Sequence, residues 1–407
     1  MSIEQLLTKL GVPADAGAEG AVQTKIMLHN AGQLKDLLDI GLSPAGRAEH
    51  AAALLDGVQV PAGHQDVPLV HKLIGFAVGN DELSADDHAQ LASALPLTAH
   101  VVSAPSAAAP QVVNSVWDVS TPDGSLRVIN LPNGLELQDG GCIVARATPL
   151  HFTCSSLTRT GNPPAGYSGD FNIVGRPGTP LLIPFAPNGV GQAQSGAPGQ
   201  CTSAGVAGDG GGNGSPGQQG TAGQPGGQGN NGTASALATI VIQNTLTLEE
   251  ARQFLAVATQ SGPGGQGGSG GPGGPGQQGG NGGNGATCDC TGNGGGSAGP
   301  GGKGGTGGPA GDGGDGGDAA GNILVYLPVT VSTSVVQAVP SPAPPGGPGN
   351  AGPGGPGGAP GTAGSAGKNN SGGGTVGSGP IGDPGSPGRP GTHTGAPATI
   401  TTLNGQP

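Results

Sequence analysis

Between residues 262 and 321 the chain repeats every three residues, and that period constrains its folding more than any other feature. In 262–285 the non-glycine residues fall at Pro263, Gln266, Ser269, Pro272, Pro275, Gln278, Asn281 and Asn284. In 299–321 the same phase holds Pro300, Lys303, Thr306, Pro309, Asp312, Asp315 and Asp318, and interruptions such as Gln277 and Ala310 leave it intact. A period of three is neither the 3.6 of an α-helix nor the 2.0 of a strand. It matches the left-handed extended helix with three residues per turn, which rises about 3.1 Å per residue and makes no internal hydrogen bonds. Packed copies of such a chain must therefore satisfy their N–H and C=O groups on neighbours. Bare glycine rows permit that approach, so two arms of about 70 Å are expected, each packed on two sides and showing one row of side chains to water. The pattern breaks at 286–298, which holds Cys288-Asp289-Cys290. Equal arms joined by a break predict an antiparallel hairpin with those residues at its far tip.

The flanking sequence repeats the theme. Glycine occupies every third position from Gly205 to Gly232, and a third block keeps its phase over 346–367 and 379–391. A short β-branched run follows each block: ATIVIQ, NILVYLPVTV and ATITTL. These predict strands near 238–243, 322–331 and 398–403, the first two pairing at the base of the hairpin. Residues 247–256 read as helix-like.

Before the glycine blocks the patterning changes twice. Residues 1–97 read as a small helical domain: Ser2 and Gln5 have capping-box spacing, and Gly11 stops a helix bearing Ile3, Leu6, Leu7 and Leu10. Further helices are expected at about 21–30, 33–40, 44–56 and 67–78, with a last one opened by Ser84 and Asp87. Residues 98–110 read as a linker. Residues 111–190 read as a β domain in which 126–131, 135–137 and 142–148 are strands, 151–160, 171–174 and 181–185 add others, and Trp117 is the core anchor. Pro122-Asp123-Gly124, Pro132-Asn133-Gly134 and Asp139-Gly140-Gly141 separate the strands and signal hairpins. Residues 191–407 form the glycine-rich domain. The expected fold is thus multi-domain: an all-α N-terminal bundle, a short β unit, then a bundle of polyglycine II helices with interspersed strands.

The strings GGNGGNG, GGKGGTGG and GGDGGD resemble the glycine-rich repeats of mycobacterial PGRS surface proteins. The alternation of long glycine tracts with breaks resembles the tip adhesins of T-even-like phage tail fibres, which implies polyglycine II helices with tip loops that set receptor specificity. The Gly-Asp-Pro, Gly-Ser-Pro and Gly-Arg-Pro triplets at 382–390 are similar to collagen-like bacterial sequence. The resemblance covers about 200–395.

Composition narrows the function classes. A formal charge of −12 argues against nucleic acid, which calls for basic stripes, and beyond Arg176 the only basic residues are Arg252, Lys303, Lys368 and Arg389. No run approaches the ~18 apolar residues of a membrane span. MSIEQLLTKLG has no basic region followed by an apolar run, so no ordinary signal peptide is read there, although an extracellular, cell-surface or virion setting suits the composition.

No residue constellation supports catalysis, a cofactor or a metal. Gly302-Lys303 lacks the hydroxyl residue and the helix of a phosphate loop. Asp312, Asp315 and Asp318 lie about 9 Å apart on one row, too far to share a calcium ion, and read as solvated. Asp86-Asp87-His88 suits a helix start. His151 with Ser155 and Ser156 lacks a nucleophile elbow. The five cysteines are Cys142, Cys154, Cys201, Cys288 and Cys290. Cys288 and Cys290, with Asp289 between them, leave open a disulfide within the tip, one to another chain, a zinc site completed by other cysteines, or free thiols. The functional expectation is a non-enzymatic structural or self-associating protein. An adhesin recognising a glycan or surface protein through its tips is the alternative, and an enzyme in the N-terminal region a lesser one.

Overall fold

A computed structural model of the chain describes residues 22–28, 33, 97–103, 109–180, 187, 189–250 and 252–405. Its strands are β1 (Val22–Leu28), β2 (Leu97–Ser103), β3 (Gln111–Val113), β4 (Val116–Asp118), β5 (Leu126–Leu131), β6 (Leu135–Leu137) and β7 (Cys142–Arg146). They continue as β8 (Leu150–Arg159), β9 (Phe171–Val174), β10 (Ala238–Leu248), β11 (Leu255–Gln260), β12 (Ile323–Leu327), β13 (Val336–Pro340) and β14 (Ile400–Asn404). Among the described residues the helical ones are a 3-10 turn at Thr333–Val335 and Gln33.

The strands make two sheets. The nine-stranded sheet runs β1-β2-β5-β8-β10-β12-β14, with β3 and β6 beside that path, and the five-stranded sheet runs β13-β11-β9-β7-β4. Only β1 and β2 pair antiparallel; the other paired strands are parallel. From β3 to β14 the chain passes back and forth between the sheets, with β5 and β6 successive in the nine-stranded one, and climbs as it goes, which is the path of a parallel β-solenoid. Stacked passes bring like residues into columns: Ile129, Phe152, Ile240 and Val325 on one sheet, Ile143, Phe171 and Val257 on the other. Both columns are buried, and Phe152 meets Phe171 across the core edge-to-face with ring centroids 5.2 Å apart. Each such side chain contributes roughly 1.5–3 kcal/mol by leaving water.

This corrects the expected fold. The all-α bundle, the separate hairpin unit and the helix bundle of collagen-like or polyglycine II type are replaced by two sheets of mainly parallel strands. The part of the helical reading that is described, about 21–30, is strand β1, and β2 occupies the expected linker. Of the helix expected at 33–40 only Gln33 is described, and it is helical; the other N-terminal helix assignments and the strand at 181–185 lie outside the described residues. The helix-like 247–256 is the end of β10 and the start of β11. The turns are present, but those at 122–124 and 139–141 are corners between sheets, and that at 132–134 joins β5 to β6 along the same edge of β8 within the nine-stranded sheet. Gly124, Gly134 and Gly140 have φ of 72°, 97° and 78°, and the N–H of Gly134 donates to Leu131 O at 3.0 Å. Trp117 is only partly buried.

The glycine blocks grow from one kind of corner, the return from the five-stranded to the nine-stranded sheet. In early passes that return is short, 119–125 and 147–149. In the last three it is expanded to 175–237, 261–322 and 341–399. Each expansion runs out and back as two extended arms. The outgoing arms are arm 1 (175–180, 187 and 189–199 among the described residues), arm 3 (262–285) and arm 5 (346–367). The returning arms are arm 2 (208–232), arm 4 (293–317) and arm 6 (373–395). Arms 3 and 4 pair antiparallel, with Gly302, Gly305, Gly308 and Gly311 N–H donating to Gln277, Gly274, Gly271 and Gly268 O, each at 2.8 Å. Arms running the same way are also bonded, so 1, 3 and 5 form one layer and 2, 4 and 6 the other. Examples are Gly217 N–H to Pro300 O at 2.8 Å, Gly270 to Asn350 at 2.8 Å and Gly307 to Asp383 at 2.8 Å.

Glycine content follows from this placement. Arms 3 and 4 are each bonded to four others, and they carry glycine at two positions in three. A Cβ on Gly305 would overlap the carbonyl of Thr221 in arm 2, and one on Gly307 the carbonyl of Gly352 in arm 5. Thr306, between them, points outward. The N–H of the outward row is left over by the glycine ladder. Proline at that row has no N–H to satisfy. At other places an Asn or Asp of the parallel neighbour accepts it: Asn213 from Ser297 at 2.9 Å, Asn281 from Thr362 at 2.8 Å, Asp312 from Arg389 at 2.7 Å and Asp318 from Ala396 at 2.8 Å. The aspartate row therefore cross-links two arms instead of being merely solvated.

Candidate functional site at the joined tips

The tips of the three hairpins meet at the end of the arms opposite the sheets. In the first, Cys201 pairs with Ala207 around a turn at Gly205, whose φ is 72°. In the second, Thr287 pairs with Gly292, and Cys288 N–H donates to Thr291 O at 2.9 Å. In the third, Asn369 takes φ 63° and Asn370 N–H donates to Gly367 O at 3.1 Å.

A disulfide joins the first two tips. It links Cys201 to Cys288, with Cα atoms 5.7 Å apart and a sequence separation of 87. The bridge therefore lies neither within Cys288-Asp289-Cys290 nor between chains. Cys290 is an exposed free thiol and Asp289 is exposed beside it. Asp289 also borders the first tip, because a side chain on Gly205 would meet its carboxylate 2.7 Å away.

Several polar side chains that a tip ligand would use hold the tips together instead. Asn293 is buried; its amide donates to the carbonyls of Gln200, Gly208 and Asp209, and its oxygen accepts from Ala286 N–H. Thr291 Oγ1 accepts from Ala207 N–H at 3.2 Å, and Thr287 Oγ1 from Lys368 N–H at 3.2 Å. Asn370 donates to Gly292 O. Asp289 and Cys290 remain at the surface.

The other sequence candidates are placed apart from the tips. Lys303 Nζ pairs with Asp383 at 2.6 Å on the flank of the arms. His151 lies buried in β8, its Nε2 3.4 Å from Thr153 Oγ1. Burial, joined by the nearby Asp170, pushes the Cys142 thiol up to about 11, and burial raises Cys154 further, so both are held protonated. Among the described residues no group of three or more His, Cys, Asp or Glu is arranged to hold a metal ion. Asp86-Asp87-His88 lies outside the described residues. No helix among them is long and apolar enough to cross a membrane.

One cluster escaped sequence reading. Asp170, fully buried, accepts from Arg159 Nε at 2.7 Å, Arg252 Nη2 at 2.6 Å and Ala256 N–H at 2.8 Å. Arg159 is itself fully buried and donates to the carbonyls of Leu137, Gln138 and Thr160. The group ties three consecutive passes at their corners. The signal was available: Arg159 is in phase with the inward Leu157 of β8, and a charge on the inward row requires a buried partner. Comparison with known protein families, with curated proteins and with solved structures finds no match to this chain.

Proposed function

We propose that this chain is a non-enzymatic structural protein that self-associates, with its glycine arms serving as a stiff plate. The observation that carries the reading is the backbone ladder across six arms, capped by a covalent bond between two tips. A ladder of buried backbone bonds resists bending in a way that flexible glycine linkers do not. Disulfides persist in oxidising surroundings, which favours an extracellular, cell-surface or virion setting. The charged cluster at Asp170 braces the base of the plate instead of facing a substrate.

A second reading is a glycan- or surface-binding adhesin acting through the tips. It draws on the exposed Asp289 and Cys290 beside Thr291 and on the turn at Asn369, all at one end of a rigid scaffold, where recognition loops are commonly displayed. So few free polar groups suit weak, multivalent contact.

Sedimentation of the oxidised protein, together with its binding to a glycan array, separates the two. Self-association predicts a mass above the monomer that survives Asp289→Ala and Cys290→Ser. A monomer that binds one defined glycan, and loses it on Asp289→Ala, would replace the structural reading with the adhesin.

A further inference from the structure

The two layers of the plate differ in charge. In arm 4 the outward row carries Lys303, Asp312 and Asp315, with Asp318 just past its end, and arm 6 beside it carries Asp383 and Arg389. Arm 3, at the middle of the other layer, has no charged residue anywhere in 262–285. Its flanking arm 5 has none before Lys368 at the tip, and the described part of arm 1 has only Arg176 at its base. The outward rows of this layer are instead Pro, Gln, Ser, Asn, Ala and Thr, with Gln266, Pro353, Pro356 and Ala359 exposed.

We propose that this uncharged face is the surface through which a second copy of the chain docks, face to face about a two-fold axis. The proposal rests on the self-association reading and names its surface. Arms 3 and 5, about 70 Å long, with the described part of arm 1 beside them at roughly 5 Å spacing, present on the order of 1,000 Å². A stable interface needs about 800 Å² from each partner, so the face is large enough on its own. Isologous contact puts the face against a copy of itself, which a face of one charge resists and an uncharged one accepts. Prolines and short side chains lose little rotamer freedom when covered, so docking orders few groups.

The lateral route is less open. At the outer edge of arm 6, Pro384, Pro387 and Pro390 are exposed and offer no N–H to a further arm. Proline on an exposed edge is a common barrier to added chains. Growth of the plate by adding arms at that edge is thereby disfavoured, and the broad face remains open.

The test is sedimentation velocity on four proteins: the wild type, Gln266→Glu with Ala359→Glu, Thr306→Glu on the charged layer, and Cys290→Ser. The proposal predicts a dimer for the wild type, Thr306→Glu and Cys290→Ser, and at least a tenfold weaker dimer for the double variant. Mixing that variant with Gln266→Lys plus Ala359→Lys restores a heterodimer, which shows that both fold and that the faces meet. A double variant that dimerises like the wild type overturns the proposal while leaving self-association standing. Loss of the dimer only in Cys290→Ser, or only in Thr306→Glu, does the same and moves the contact to the tip or the other face. A wild type that is monomeric at every concentration overturns the proposal and the reading beneath it.

Discussion

Gly307→Val places a branched side chain where arms 4 and 5 touch. A Cβ there would overlap the carbonyl oxygen of Gly352, which also accepts from Gly385 N–H at 2.9 Å and cannot turn away without giving up that bond. The two arms must therefore part locally. The bonds at risk are Gly349 to Gly311 at 3.0 Å, Gly352 to Gly308 at 3.0 Å and Gly355 to Gly305 at 2.8 Å. Three bonds at about 0.5–1.5 kcal/mol each give a loss of roughly 2–4 kcal/mol, and buried groups left without partners add to it. Thr306→Val is the matched control. Thr306 sits on the outward row, and its carbonyl keeps the bond from Gly223 N–H at 2.8 Å. An outward substitution of this kind changes stability by about 0.5 kcal/mol or less. Guanidinium unfolding followed by far-ultraviolet circular dichroism measures both. Equal midpoints for the two variants would refute the assignment of inward and outward rows.

Three further outcomes follow from other parts of the molecule. Asp170→Ala leaves Arg159 buried without its carboxylate, so a loss of about 3–5 kcal/mol is expected in the same unfolding experiment. Phe152→Ala empties the centre of the solenoid and is expected to cost about 3–5 kcal/mol, read as an earlier unfolding midpoint. The backbone N–H groups of His393 and then Thr392 hold the Asp315 carboxyl below its ordinary range. A carboxyl with a lowered folded-state pKa adds stability above its unfolded value near 4, and that stability is lost as pH falls through the folded value. Asp315→Ala should therefore flatten the acid limb of a stability–pH curve and leave its neutral-to-alkaline part parallel to the wild type.

How far the sequence speaks depends on whether the deciding interaction is local. Strands β5, β6 and β9 lie where alternation places them, because their period and turn residues are local. Their partners differ from the hairpins expected, since Pro-Asp-Gly serves a hairpin and a solenoid corner equally well, and Pro-Asn-Gly only breaks the line of β5 and β6 along β8. Only the stacking of Ile129, Phe152, Ile240 and Val325 across passes distinguishes the two, and Phe152 and Ile240 are far apart in sequence. VQTKIML fits a helix through Val22 and Ile26, and a strand through Val22, Thr24, Ile26 and Leu28; pairing with β2 decides for the strand. β10 runs beyond 243 because it follows β8 across a register shift between Ile242 and Thr245. At the tips, Cys288 and Cys290 stood out by spacing, whereas the partner Cys201 lies in another hairpin and carries no local sign. Asn293 looked available to a ligand because its three carbonyl partners come from 200–209.

Residue-resolved amide exchange tests the central claim, that the glycine arms are ordered by backbone bonds to one another. Two glycine rows in each of arms 3 and 4 donate to neighbours, while the outward row donates to none at Gln266, Ser269 and Thr306 among the ladder bonds. Slow exchange is therefore expected at Gly268, Gly271, Gly305 and Gly308, with faster exchange at Gln266, Ser269 and Thr306, in a repeat of three along the arms. Uniformly fast exchange across 205–232 and 299–321 would contradict the account.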